Sequence, residues 1–108
     1  MTEVKFYSDG GGLRGIEGRG HSGFAERGSD VVCAAVSSLL QALLLGLSDV
    51  AKVEGLECEV DPEEPLIRVI WPQKAARRVS LLTETVALSL REISSGSPGH
   101  VNITEVRL

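Results

Sequence analysis

A chain of 108 residues with 43% apolar and 24% charged side chains is long enough for one domain with its own hydrophobic core, and too apolar for general disorder. Its formal net charge of −4 argues against direct nucleic-acid binding, which needs cations to displace phosphate counterions, and suits a basic partner better. Two cysteines make no secreted disulfide framework, and Glu3, Lys5 and Asp9 interrupt any apolar leader, so a cytoplasmic protein is expected.

The segment from Thr2 to Ser8 alternates, with Val4 and Phe6 on one face and Glu3, Lys5 and Tyr7 on the other, as a strand does. Gly10 to Gly12 turn the chain, and Leu13 to Gly20 is expected to return as the second strand of a hairpin. Gly15 and Gly18 are more glycine than such a strand requires and leave its register open.

From Val31 to Leu47 there is no charge. The run lies at the short end of the roughly 17–25 residues needed to cross a bilayer, would strand Ser37, Ser38 and Gln41 in lipid, and has no flanking cationic cluster. A buried helix of a globular domain is therefore expected, with no membrane partner. Asp30 suits its N-cap, which puts Val31 first and Cys33 in the first turn. On a helical wheel Val32, Ala35, Val36, Leu39, Leu40 and Leu43 share one side, while Cys33, Ser37 and Gln41 follow at steps of four on another.

Leu56, Cys58 and Val60 then alternate with Glu57, Glu59 and Asp61, which predicts a strand with Cys58 on its inner face. Leu66 to Trp71 reads as a largely buried strand. Pro72 fits the first position of a second helix, in which Val79, Leu82, Val86, Leu90 and Ile93 form the core stripe before Gly96 and Pro98 end it. The segment from His100 to Leu108 alternates as a last strand whose phase slips near Thr104 and Glu105, as a bulge would make it. The expected fold is α+β: a two-layer sandwich of order β-β-α-β-β-α-β, with a sheet of about five strands and two helices on one face. Its sheet edges are open to a second copy of the chain.

Chemistry concentrates between Gly20 and Ser37, "GHSGFAERGSDVVCAAVS". A cysteine near a helix N-terminus is favoured as the thiolate, its reactive form, and the residues between His21 and Cys33 are long enough to bring an imidazole back over the helix end. On spacing alone the reactive pair and a chance pairing remain equally open. Cys58, in a strand, reads as a structural thiol, and His100, after a Ser-Pro-Gly turn, as a surface residue. The histidines and cysteines match no zinc pattern, and no metal or cofactor is expected.

The same stretch resembles, nearly residue for residue, the signature of the ribosomal-processing cysteine protease family of bacteria: a Gly-His pair, a loop, then a helix opening with Asp-(Ile/Val)-Val-Cys-Ala-Ala-Val-Ser. The resemblance implies His21 and Cys33 as the catalytic pair, with Asp30 supporting the site either as a plain N-cap or as an orienter of His21. It implies a substrate-binding region at Gly20, Ser22, Gly23 and Ser37, the loop Ser22 to Ser29 closing over an extended peptide. The implied activity is a site-specific endopeptidase that removes the N-terminal extension of the large-subunit ribosomal protein numbered twenty-seven, acting as a homodimer. Leu44 and Leu45, on the polar side of the first helix, fit burial against a neighbour or under another element of the same chain. Two other readings keep the fold: an interaction protein that holds a ribosomal protein tail without cutting it, and a thiol redox switch, disfavoured by an inward Cys58.

Overall fold

A computed structural model describes residues 1–20, 27–61 and 66–108, the first four residues of the first helix by their backbone alone. Strands β1 (Thr2–Asp9) and β2 (Gly12–Arg19) form the expected hairpin. Helix α1 (Arg27–Leu45) runs into a π-helical turn, Gly46–Val50. Strands β3 (Glu57–Asp61) and β4 (Leu66–Ile70) follow, then a short helix α2 (Gln73–Ala76), helix α3 (Ser80–Gly96) and strand β5 (Val101–Arg107). The sheet has five strands in the order β3-β4-β2-β1-β5. Every pairing is antiparallel except β1 with β5, which run parallel because α3 carries the chain back across the sheet.

The core lies between the sheet and the helices. Val4, Phe6, Ile16 and Val69 point to it from the strands, Val36, Leu40, Leu43 and Leu47 from α1 and its π-turn, and Val86 and Leu90 from α3. Trp71, fully buried, donates its indole N–H to the Leu13 carbonyl at 3.1 Å, which ties the end of β4 to the hairpin. The 20-residue segment Val31–Val50 is long and apolar enough to cross a membrane. In this fold its stripe of Val36, Leu40, Leu43 and Leu47 is buried against the sheet.

The glycines of β2 mark close approaches. A Cβ on Gly18 would lie 2.2 Å from Leu40 Cδ1, and one on Gly15 would lie 2.9 Å from the Val69 carbonyl oxygen. The register they left open is Glu3 opposite Arg19 through Tyr7 opposite Gly15, with one irregularity between Tyr7 and Ser8. The bulge expected in the last strand is therefore absent there: β5 pairs with β1 without interruption from Val101 to Arg107. Packing against β1 at every residue outweighs the imperfect polar alternation of "NITEV".

Three further expectations are corrected. The second helix is broken into α2 and α3, because Val79 leaves helical geometry (φ −101°, ψ 8°) and the Ser80 hydroxyl bonds back to the Arg77 carbonyl at 2.9 Å. Pro72 precedes α2 with extended ψ of 149° and does not itself begin the helix. Cys58 is exposed. It shares the helix-facing side with its partner Val69, but β3 is an edge strand that projects beyond the helices, so Val60 is also 55% exposed.

The opposite face of the sheet is open and carries charge across four strands. Lys5 Nζ lies 3.8 Å from Glu17, Arg68 lies 3.9 Å from Glu17, and Arg68 lies 2.7 Å from Glu59. These residues stand opposite one another in the register, so the ladder follows directly from strand pairing. Tyr7 donates its hydroxyl to Glu17 at 3.2 Å. Burial of the phenol, with the Glu17 charge beside it, raises Tyr7 above its ordinary value of 10.0.

Candidate active site

α1 begins at Arg27, one turn earlier than Asp30 as N-cap would allow. The backbone of Asp30 consequently lies inside the helix and not at its N-cap, and Cys33 is the seventh residue of the helix. The last residues assigned to the closing loop, Arg27 to Ser29, belong to α1. His21, Ser22 and Gly23, and the side-chain role weighed for Asp30, lie outside the described residues.

Cys33, Ser37 and Gln41 line one wall of a cleft of about 180 Å³ between α1 and the strand ends. Thr2 of β1, Gly18 of β2 and Gly20 just after it form its floor beside the sulfur. Val60 and Asp61 of β3 and Ile67 of β4 close the far side. The structure thus brings together Gly20, Cys33 and Ser37 of the residues singled out in the sequence. The cleft is mostly apolar away from Cys33, with Val36 and Leu40 facing Val60 and Ile67, and Asp61 is its charged group among the described residues. An extended peptide segment with an apolar side chain suits such a shape.

Cys33 is half-buried and is a free thiol. Its sulfur lies 3.0 Å from the Thr2 hydroxyl. Thr2 is only 4% exposed, and its backbone N–H donates to the His100 carbonyl at 2.9 Å. Nothing in the sequence pattern pointed to Thr2, since the contact joins residues 31 positions apart through the fold. His100, half-buried, thereby holds the floor of the cleft through its backbone. Cys58, in contrast, borders a depression with Tyr7, Glu57 and Arg68, away from the Cys33 cleft. Cys58 keeps the helix-facing side of β3 but is exposed there, so burial does not count against a redox switch. No cluster of metal-ligating side chains occurs among the described residues.

Comparison with known proteins points the same way. The family model described as Peptidase_Prp, cysteine protease Prp, matches residues 1–102. The ribosomal processing cysteine protease Prp of Mycoplasma genitalium is 30% identical over 87 residues, which span 81% of this chain and 83% of that protein. Among solved structures, the ribosomal processing protease Prp of S. aureus in complex with a substrate peptide superposes with a TM-score of 0.86 at 18% identity, covering 98% of this chain and 100% of that one. SMU.848 of Streptococcus mutans superposes with a TM-score of 0.84 at 27% identity, covering 100% and 99%.

Proposed function

The chain belongs to the Prp family of cysteine proteases, and on that premise we propose that it cleaves the N-terminal extension from the large-subunit ribosomal protein numbered twenty-seven, with Cys33 as nucleophile and His21 as acid and base. It is a hydrolase of the cysteine-peptidase type. The observation that carries the finer reading is the placement of Cys33: the residue borders a cleft of about 180 Å³, inside the stretch that resembles the family's signature.

In the proposed reaction His21 takes the proton of the Cys33 thiol, and the thiolate sulfur attacks the scissile carbonyl carbon. The tetrahedral intermediate collapses to a thioester as the C–N bond breaks, and the imidazolium returns its proton to the leaving amine. Water, deprotonated by His21, then attacks the thioester and releases the carboxylate product and the thiol. The peptide lies along the cleft, in contact with Gly20 and Ser37. Ser22 and Gly23 complete the proposed substrate-binding set.

The acidic net charge suits a basic ribosomal substrate. The enzyme acts in the cytoplasm and as a homodimer. Support for the dimer comes from the end of α1 and the start of α3, where Leu45 is 57%, Val50 82% and Leu81 83% exposed, while Leu44 packs on the core of its own chain.

The test is a mass measurement. The purified protein is mixed with the ribosomal protein carrying its extension, alongside Cys33→Ala and His21→Ala. Removal of the extension by the wild type and by neither variant is expected. Binding without cleavage by the wild type would overturn the assignment and favour a holding role; sedimentation as a monomer would overturn the dimer.

A further inference from the structure

We propose that Thr2 is a positioning residue for the nucleophile, its buried hydroxyl donating a hydrogen bond to Cys33 Sγ and holding the sulfur toward the cleft. The proposal rests on reading Cys33 as the nucleophile and adds the group that supports its charged form.

The geometry carries it from three sides. The Sγ to Oγ1 separation is 3.0 Å, and this is the hydrogen bond that the Thr2 side chain makes among the described residues. Because Thr2 is only 4% exposed, its hydroxyl has been withdrawn from water and needs this partner. The thiol is able to donate or accept here, but a thiolate has no proton and only accepts. Ionisation of Cys33 therefore fixes the direction of the bond, from hydroxyl to sulfur, and strengthens it.

Thr2 is also rigid. It sits in β1 between β2 and β5, opposite Val101, with its N–H bound to the His100 carbonyl at 2.9 Å. A β-branched side chain on such a strand has little freedom at χ1. The hydroxyl is consequently a fixed point to which the more flexible cysteine side chain is tied.

Other support for a thiolate within the described cleft is weak. Cys33 is the seventh residue of α1, and the favourable field of a helix N-terminus falls off within the first turn. Asp61, on the far wall, carries the sign that opposes a second negative charge. No cationic side chain lines the cleft among the described residues. Against these, one short hydrogen bond from a preorganised neutral donor is a substantial share of the stabilisation available.

Alkylation of Cys33 by iodoacetamide tests the assignment, read at that residue by mass spectrometry so that exposed Cys58 does not contribute. Thr2→Val keeps the shape and removes the donor. Its Cys33 is expected to react about tenfold more slowly at neutral pH. Thr2→Ser is expected to restore the wild-type rate, which a purely packing role for the threonine methyl would not do. An unchanged rate in Thr2→Val, or a Thr2→Ser that behaves like Thr2→Val, overturns the proposal. If the emission of Trp71 shows that Thr2→Val is unfolded, Thr2→Ala replaces it and is read the same way. A Cys33→Ala variant that still cleaves peptide overturns the nucleophile assignment instead, and leaves a slowed alkylation in the Thr2 variants standing.

Discussion

Leu40 occupies the space that a side chain on Gly18 would need: a Cβ there would lie 2.2 Å from Leu40 Cδ1. The two residues meet at the cleft, where both are lining groups, so α1 can approach the sheet only because β2 is bare at that point. Gly18→Ala is expected to destabilise the fold by about 1–3 kcal/mol through overpacking, measured by urea unfolding with Trp71 emission as the signal. Leu40→Val in the same chain should recover part of that loss. Additive effects of the two substitutions would show that they do not share the volume.

Leu43 lies one helical turn beyond Leu40 in α1 and is fully buried. Leu43→Ala removes side-chain volume from the centre of the core and is expected to cost about 2–5 kcal/mol, depending on how far α3 and the sheet close the gap. Leu81→Ala, at an 83% exposed position, should change monomer stability by less than about 0.5 kcal/mol. Equal losses from the two would contradict the burial pattern.

The single tyrosine and single tryptophan make two local measurements clean. Ultraviolet titration of Tyr7 is expected to give a midpoint above 10.0, because burial disfavours the phenolate and the Glu17 charge adds to that effect. Glu17→Gln should lower the midpoint. A group whose folded value is raised stabilises the fold below its unfolded value and loses that contribution as pH rises, so stability should fall above about pH 10. Tyr7→Phe should flatten this part of the curve.

At the other end of the scale, Asp9 accepts the Gly11 backbone N–H at 2.8 Å and pairs with Arg14, whose Nε donates to the Trp71 carbonyl at 2.8 Å. The Gly11 hydrogen bond, and then Arg14, hold the Asp9 carboxyl below its ordinary value of 3.8. A depressed carboxyl contributes stability above its unfolded value and loses it as pH falls, so acid should loosen the hairpin as Asp9 takes up its proton. Asp9→Asn is expected to remove that pH dependence; an unchanged acid limb in unfolding experiments would count against it.

The alternation of Val4 with Phe6 and the step-of-four stripe of α1 make the faces of these elements legible in the sequence, and the stretch from Gly20 to Ser37 identifies the family. Alternation states which side a residue faces and not what covers that side. Hence Cys58 has the face it was assigned but no helix above it. The start of α1 differs from the expected one because a good capping residue at Asp30 does not by itself end the helix there: the helical backbone continues back to Arg27. Thr2 was invisible because its role depends on sheet order, and local patterns do not say that β1 lies between β2 and β5.

The parallel pairing of β1 with β5 joins the first strand of the sheet to the last. During synthesis, one rim of β1 therefore waits without a hydrogen-bonding neighbour until the ribosome has delivered the β5 segment, an exposure that invites mispairing with other nascent chains. The carbonyl of His100, just ahead of β5, also fixes Thr2. On the proposed role of Thr2, the setting of Cys33 should consequently be completed only late in biogenesis, once the segment that anchors Thr2 has joined the sheet.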